Sequence, residues 1–325
     1  MTNPGPRDVS RSLAGLLCGT HSGVLRARRA HRIQPHTAAR AHLILRPSPA
    51  PGIEELKLGG AQWRPDGRAA DLARGLQEAL DHELIIDLVL FGSMARGGTT
   101  GFSDVDAILI LRDAAADDVR LLHRIRRRVL AAQRLVFAYQ PLQHHGFECA
   151  TPRLLQVAAE TLALPSVTLR ETRSLFGRAV YGGFEPGAGL ATHDVLRRMV
   201  TGMIQIRAWP RNPRKLHRLI SMYELLPTFY LQAHGESVPK WASFHRLRDH
   251  FGASWWPYDV LRDVRVEWPL VAPSWFDPLS TAVRNPWIAA EVWRRMPSTT
   301  PSRFNRLLGP DCLSALQRLA RAMVE

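Results

Sequence analysis

The sequence predicts an α+β protein: a small sheet-bearing core followed by a helical C-terminal domain. Between residues 85 and 111 two short runs of Val, Ile, Leu and Phe flank a turn rich in Gly, Ser and Thr, the pattern of two buried strands. From about Leu190 the pattern changes to long stretches with helical spacing. At 325 residues, 46% hydrophobic and 22% charged, the chain has room for two domains with sizeable cores and the make-up of a soluble protein.

Residues 1–60 read as a segment apart. Pro at 4, 6, 35, 47, 49 and 51, scattered Arg and His, and no sustained periodicity describe a disordered Arg/Pro-rich stretch or the product of an early start codon. The apolar run at 13–18 is too short for a signal-peptide core. The Arg-rich, acid-poor make-up resembles a transit peptide, a likeness weakened by the same bias along the whole chain. The folded part is expected to begin between Trp63 and Asp71 and to form one domain over 61–185 and a helical one over 186–325.

Asp71 can cap a helix whose apolar stripe is Leu72, Leu76, Ala79 and Leu80, leading into the first strand. After the second strand, residues 115–133 read as a helix with Val119, Leu122, Ile125, Val129 and Leu130 inward and Arg124, Arg126, Arg127 and Arg128 solvated. Strand-like segments follow at 135–139 and 143–149, parted by Pro141. Thr151-Pro152 has the form of a helix start running to 163, and 167–170 and 179–181 read as further strands. In the second domain, Leu196, Val200, Met203 and Ile204 share a helical face, and Leu216, Leu219, Ile220, Tyr223 and Leu226 continue the theme until Pro227. The tryptophans at 255, 256, 268, 275, 287 and 293 are assigned mostly to core, although such rings can also stack a base.

The net charge of +14 invites a nucleic-acid reading, but its distribution gives that reading no specific support. Only Lys57, Lys215 and Lys240 are lysines, so 40 of the 43 basic residues are Arg, a skew that looks like codon bias. Residues 1–50 hold eight Arg against the single acid Asp8, which is half of the excess. The cysteines at 18, 149 and 312 are odd in number and widely spaced, so neither a disulfide framework nor a zinc motif is expected and a reducing cytoplasm fits. No run of eighteen apolar residues suggests a membrane span.

Between the two strands lie Gly92-Ser93-Met94-Ala95-Arg96-Gly97 and then Ser103-Asp104-Val105-Asp106. Gly92 removes a Cβ where a phosphate must approach backbone, Ser93 offers a hydroxyl, and Arg96 adds a fixed positive charge. In the second strand side chains alternate, so Asp104, Asp106, Ile108 and Ile110 are expected to share a face, with the two Asp about 7 Å apart where both can lean onto one divalent ion or a pair. Two ionised Asp pointing the same way beside an apolar run are unfavourable without a cation.

In order and spacing these blocks resemble the DNA polymerase β-like nucleotidyltransferases, whose signature is Gly-Ser, about a dozen residues, then Asp-x-Asp or Asp-x-Glu. The likeness covers about 85–111 and extends, through the order of elements and the helical C-terminal part, to the kanamycin-type and minimal members. It implies a small mixed-sheet nucleotidyltransferase core using Mg²⁺ or Mn²⁺ and an NTP, ATP first, to move an NMP onto a hydroxyl with release of pyrophosphate. Asp104 and Asp106 would hold metal, and Gly92 and Ser93 the triphosphate, with Arg96 neutralising it. The acceptor, whether a small molecule, a protein or an RNA end, stays open. So do two other readings: a nucleotide-binding or regulatory module without chemistry, and a toxin–antitoxin component.

The family usually carries a third carboxylate on a later strand, and Glu148 is the best-placed acid, with Glu171 in reserve. His144 and His145 would face opposite sides of a strand and so not share an ion; either can serve as a ligand or as the base, or both can be ordinary turn residues. In a chain that otherwise writes Arg, Lys240 and Lys215 stand out as compact ammonium groups suited to phosphate, and Lys240 is taken as a nucleotide contact.

Overall fold

A computed structural model describes residues 62, 65, 67–97, 101–152, 172–178, 190–236, 238–268, 273–296 and 302–325. Segment 1–60, the boundary near 185, Glu171, the helix beyond Pro152 and the strands expected at 167–170 and 179–181 lie outside the described residues.

Helix α1 (Gly67–Leu80) begins four residues before Asp71 and buries Leu72, Ala73, Leu76 and Leu80. It leads into β1 (Ile85–Leu90), which a short helix α2 (Gly92–Arg96) separates from β2 (Ala107–Leu111). With β3 (Glu148–Ala150) and β4 (Arg173–Ser174) these form one four-stranded sheet in the order β3-β2-β1-β4. The sheet is mixed: β1 runs antiparallel to β2 and β4, and β2 parallel to β3. All five residues of β2 are buried, as expected of a strand covered on both faces. Ala107, Leu109 and Leu111 join α1, β1 and helix α4 (Val119–Tyr139) in one core, while Ile108 and Ile110 are buried on the opposite face, the one toward which Asp106 also alternates. The edge strand β4 is pinned by Asp87 of β1, which accepts from Ser174 Oγ at 2.5 Å and from the Phe176 amide at 3.1 Å. Burial pushes the Asp87 carboxyl up in spite of these bonds.

Two expected boundaries are corrected. Residues 135–139 are not a strand but the last turn and more of α4, which follows the short helix α3 (Asp113–Asp117) and is capped by Asp118 accepting from the Arg120 amide. Val129, Ala132, Val136 and Phe137 continue one buried stripe at helical spacing, and a short apolar run by itself cannot decide between the two periods. Likewise Pro227 does not end its helix. α6 (Pro213–Ala233) passes through it, because Leu226, Phe229, Leu231 and Ala233 are all buried and their packing outweighs a cost of about 3 kcal/mol.

The described elements of the C-terminal part are all helices: α5 (Leu190–Ile204), α6, α7 (Lys240–Phe251), a 3-10 turn (Gly252–Trp255), α8 (Trp256–Val266), α9 (Phe276–Ala282), α10 (Pro286–Arg295), α11 (Ser302–Leu307) and α12 (Pro310–Ala322). Asn212 and Asn285 cap α6 and α10, each followed by Pro at the first helical position. Trp255, Trp268 and Trp293 are core residues, Trp275 and Trp287 pack against that core, and Trp256 is exposed. The helical core also takes in Phe102, Phe137 and Leu142 from the sheet-bearing part, so the two parts share an interior. Arg214 of α6, buried between the rings of Phe137 and Trp293, donates to the carbonyls of Pro141 and Gln143 at 2.5 Å each. The chain is thus α+β, a small mixed sheet with a helical C-terminal part.

Candidate active site

At the end of β1 the backbone turns at Gly92, whose φ of 67° lies in the left-handed region. A Cβ there would stand 2.6 Å from Asp106 Oδ2. In this structure glycine is therefore required by the neighbouring carboxylate, a reason the sequence does not reveal. Met94 and Ala95 anchor α2 in the core, which leaves Ser93 and Arg96 to line the cavity.

Asp104 and Asp106 precede β2 rather than standing in it, although the Phe91 amide extends the ladder by donating to the Asp106 carbonyl at 3.0 Å. Between them Val105 is fully buried, and both of its backbone groups are held by the Gln143 side-chain amide at 2.9 and 3.1 Å. Gln140 clamps the preceding turn by donating to the carbonyls of Gly101 and Ser103, each at 2.9 Å. The backbone of the acidic pair is thus fixed by two buried amides from the turn after α4.

That turn also delivers both adjacent imidazoles. β3 starts only at Glu148, so the strand rule that would set His144 and His145 on opposite faces does not operate. His144 Nδ1 lies 3.0 Å from Asp104 Oδ2, and His145 Nε2 lies 3.0 Å from Asp106 Oδ1. A third imidazole arrives from α6: His217 is fully buried, 2.8 Å by Nε2 from the Phe102 carbonyl and 3.8 Å from Asp104 Oδ1.

Burial alone would raise the Asp104 carboxyl, but His217 and His144 outweigh it and hold the group well below the usual carboxylate range. Burial pulls His145 down, yet the Asp106 hydrogen bond and charge push it up to about 10. Burial is the largest influence on His217 and lowers its value although the Asp104 charge opposes it.

Among the described residues, Asp104 Oδ1, His144 Nδ1 and His217 Nδ1 are buried with no hydrogen-bond partner. The 3.0 Å approach of His144 to Asp104 is within ion-pair distance but lacks hydrogen-bond alignment. Unpartnered buried donors and acceptors of this kind are costly, and a cation would satisfy them. Asp104, His144 and His217 each offer a ligand atom within 4.8 Å of the others, so the residues present fit a divalent ion.

The positive side of the site comes from the helical part. Lys240 Nζ and Arg265 both bind the buried carboxylate of Glu224, at 2.7 and 2.6 Å. Burial would raise Glu224, but these two cations lower it; burial pulls Lys240 below the ordinary lysine value although Glu224 opposes it. Arg265 also lies over the Phe102 ring and reaches Ser103 Oγ at 3.4 Å. Glu148 opens β3 and pairs with Ile108 across the parallel ladder, which sets it on the face toward which Asp106 alternates.

One cavity of about 300 Å³ is lined by Gly92, Ser93, Arg96, Asp104, Asp106, Glu148 and Lys240, together with His144, His145, Phe102 and Arg265. The seven residues assigned from the sequence to metal, nucleotide or catalysis line it together with both adjacent histidines, whereas Lys215 is exposed and does not line it. The sequence reading missed His217, Glu224, Gln140, Gln143 and Arg265. A signal was present: Arg214, His217, Ser221, Glu224 and Thr228 recur every three or four residues along α6, a polar stripe beside the apolar stripe of Leu216, Leu219, Ile220 and Tyr223.

Comparison with known families finds that residues 72–136 match the nucleotidyltransferase domain. The matched segment runs from α1 to α4 and contains the Gly-Ser turn and both Asp, while His144, His145, Glu148 and the helical part lie beyond it. Searches of curated proteins and of solved structures give no match. No described helix is long and apolar enough to cross a membrane.

Proposed function

We propose that this chain, whose residues 72–136 form a nucleotidyltransferase domain, moves an NMP from an NTP, ATP first, onto the hydroxyl of an acceptor and releases pyrophosphate. The observation that carries the reading is the convergence of Gly92, Ser93, Arg96, Asp104, Asp106, Glu148 and Lys240 on one cavity. Ser93 and the backbone beside it face the triphosphate, and Arg96 and Lys240 neutralise it from opposite walls. Asp104 and Asp106 would hold Mg²⁺ or Mn²⁺, which when bound polarises the phosphoryl group and steadies the leaving pyrophosphate. Glu148 takes the acceptor proton as the acceptor oxygen forms its bond to the α-phosphorus and the bond to the pyrophosphate oxygen breaks.

The test is an NTP and acceptor screen reading pyrophosphate release, with Asp106→Asn as its control. We expect the variant to keep its fold by circular dichroism and to lose on the order of 10³-fold in turnover, since metal-borne charge stabilisation is worth several kcal/mol. Undiminished turnover in Asp106→Asn sinks the mechanism. One observation favours a second reading, a nucleotide-binding module without chemistry: an imidazole stands 3.0 Å from each of the two Asp carboxylates. Under that reading labelled NTP is bound and protected but no pyrophosphate appears.

A further inference from the structure

The two carboxylates do not have equivalent surroundings. Asp106 Oδ1 faces His145, and its Oδ2 closes on Gly92. Asp104 instead has an imidazole near each oxygen, His144 3.0 Å from Oδ2 and His217 3.8 Å from Oδ1. One ligand atom from each of these three residues lies within 4.8 Å of the other two. Around a tetrahedral ion with bonds of roughly 2.0–2.2 Å the ligand atoms stand about 3.4 Å apart, so a contraction of at most about 1.4 Å closes the set.

His217 supplies the independent observation. It is fully buried, and its Nε2 faces Asp104 Oδ1 at 3.8 Å while also lying 2.8 Å from the Phe102 carbonyl, so binding an ion through Nε2 exchanges that carbonyl contact for a metal bond; its Nδ1 has no partner. Asp104 Oδ1 is likewise buried and unpartnered, and His144 Nδ1 has only the Asp104 carboxylate itself beside it, 3.0 Å from Oδ2. The supports are rigid: the Gln143 amide clamps Val105 beside Asp104 and also donates to the His145 carbonyl at 2.9 Å.

We propose that Asp104, His144 and His217 form a site for a borderline transition ion of the zinc class, distinct in donor set from the oxygen site that Mg²⁺ requires. Imidazole nitrogen suits Zn²⁺ and its neighbours, whereas Mg²⁺ takes oxygen ligands in near-octahedral geometry. Three protein donors leave a position for water or a phosphate oxygen, and Asp104 and His144 both line the cavity from which such a ligand would come. The inference goes beyond the transfer reading, with which it shares Asp104. It rests on that reading only for what fills the remaining position.

The full chain is stripped with a chelator, titrated with Zn²⁺, and separately loaded with Co²⁺, whose visible absorption reports nitrogen-containing coordination of low number. One Zn²⁺ per chain is expected, with the Co²⁺ bands surviving excess Mg²⁺. His144→Ala and His217→Asn should each weaken Zn²⁺ at least about tenfold, while His123→Ala, on the exposed side of α4, leaves it unchanged. Circular dichroism accompanies His217→Asn because that site is buried; if the variant does not fold, half-buried His144 carries the test. Absence of stoichiometric Zn²⁺, unchanged affinity in His144→Ala, or displacement of Co²⁺ by equimolar Mg²⁺ overturns the proposal. Histidine-dependent Zn²⁺ binding with no pyrophosphate release from any NTP leaves this site standing and removes the transfer reading; Mg²⁺-driven release with no Zn²⁺ binding does the reverse.

Discussion

The cavity has two walls built by different means. The sheet wall is local: Gly92, Ser93, Arg96, Asp104 and Asp106 fall within fifteen residues and are set by a left-handed turn and the start of a buried strand. The helix wall is assembled from a distance, with Ser221 and Thr228 on α6, Lys240 on α7 and Arg265 on α8, and with the buried His217 and Glu224 of α6 behind it. The first wall supplies anionic ligands and the second supplies cations and an imidazole. Neither is complete alone, because the carboxylate of Asp104 is held low by an imidazole from each side. The difference suggests that the motif provides chemistry while the helical part provides its electrostatic setting.

The largest expected effect comes from parting the walls. Arg214→Ala removes the two 2.5 Å bonds by which α6 grips the carbonyls of Pro141 and Gln143, just before the paired histidines. Two buried carbonyls left unpaired cost about 1–3 kcal/mol each, so a loss of about 3–5 kcal/mol in urea unfolding is expected. A loss under about 1 kcal/mol would mean that the walls stand independently.

A smaller effect separates strain from chemistry within the sheet wall. Gly92→Ala and Gly97→Ala both force a side chain onto left-handed backbone, at φ of 67° and 75°, costing about 1–2 kcal/mol each. Only at Gly92 does the new Cβ meet Asp106 Oδ2, at 2.6 Å; at Gly97 it meets nothing within 4 Å among the described residues. Similar stability losses are therefore expected, with up to about 10²-fold lower turnover in Gly92→Ala alone, as follows from displacing a ligand by about an ångström. Equal turnover in the two variants would show that the approach of Asp106 to Gly92 does not matter to function.

The same contrast explains what could be read in advance. The sheet wall was legible because its residues are contiguous and their types are unusual together: a Gly-Ser turn between apolar strands, then two Asp where burial penalises charge. The helical character of the second part was legible from period, and Lys240 from its rarity among arginines. His217 and Glu224 were not, because their meaning depends on burial against Phe102 and Arg265, which lie 115 and 41 residues away. The periodic clue on α6 was masked by an equally regular apolar stripe. The strand expected at 135–139 failed for a related reason: Val136 and Phe137 fit either period until the stripe they extend is traced back to Leu122.

The gentlest probe addresses the helix wall alone, through pH. Glu224 has its carboxyl lowered in the folded protein: burial would raise it, but Lys240 and Arg265 outweigh that. Between the lowered folded value and the unfolded value near 4.3 the unfolded chain binds a proton that the folded chain does not, so stability rises with pH there. The contribution is fully present above about 4.3 and is lost as pH falls through the folded value. Urea unfolding measured from neutral to acid pH should therefore show an acid limb that is shallower in Glu224→Gln, since a neutral amide cannot titrate. Turnover at neutral pH should also fall in that variant, because Lys240 and Arg265 lose the anion that positions them 2.7 and 2.6 Å away. An acid limb of unchanged slope would place its origin among other carboxylates and leave Glu224 with no part in the pH response of this wall.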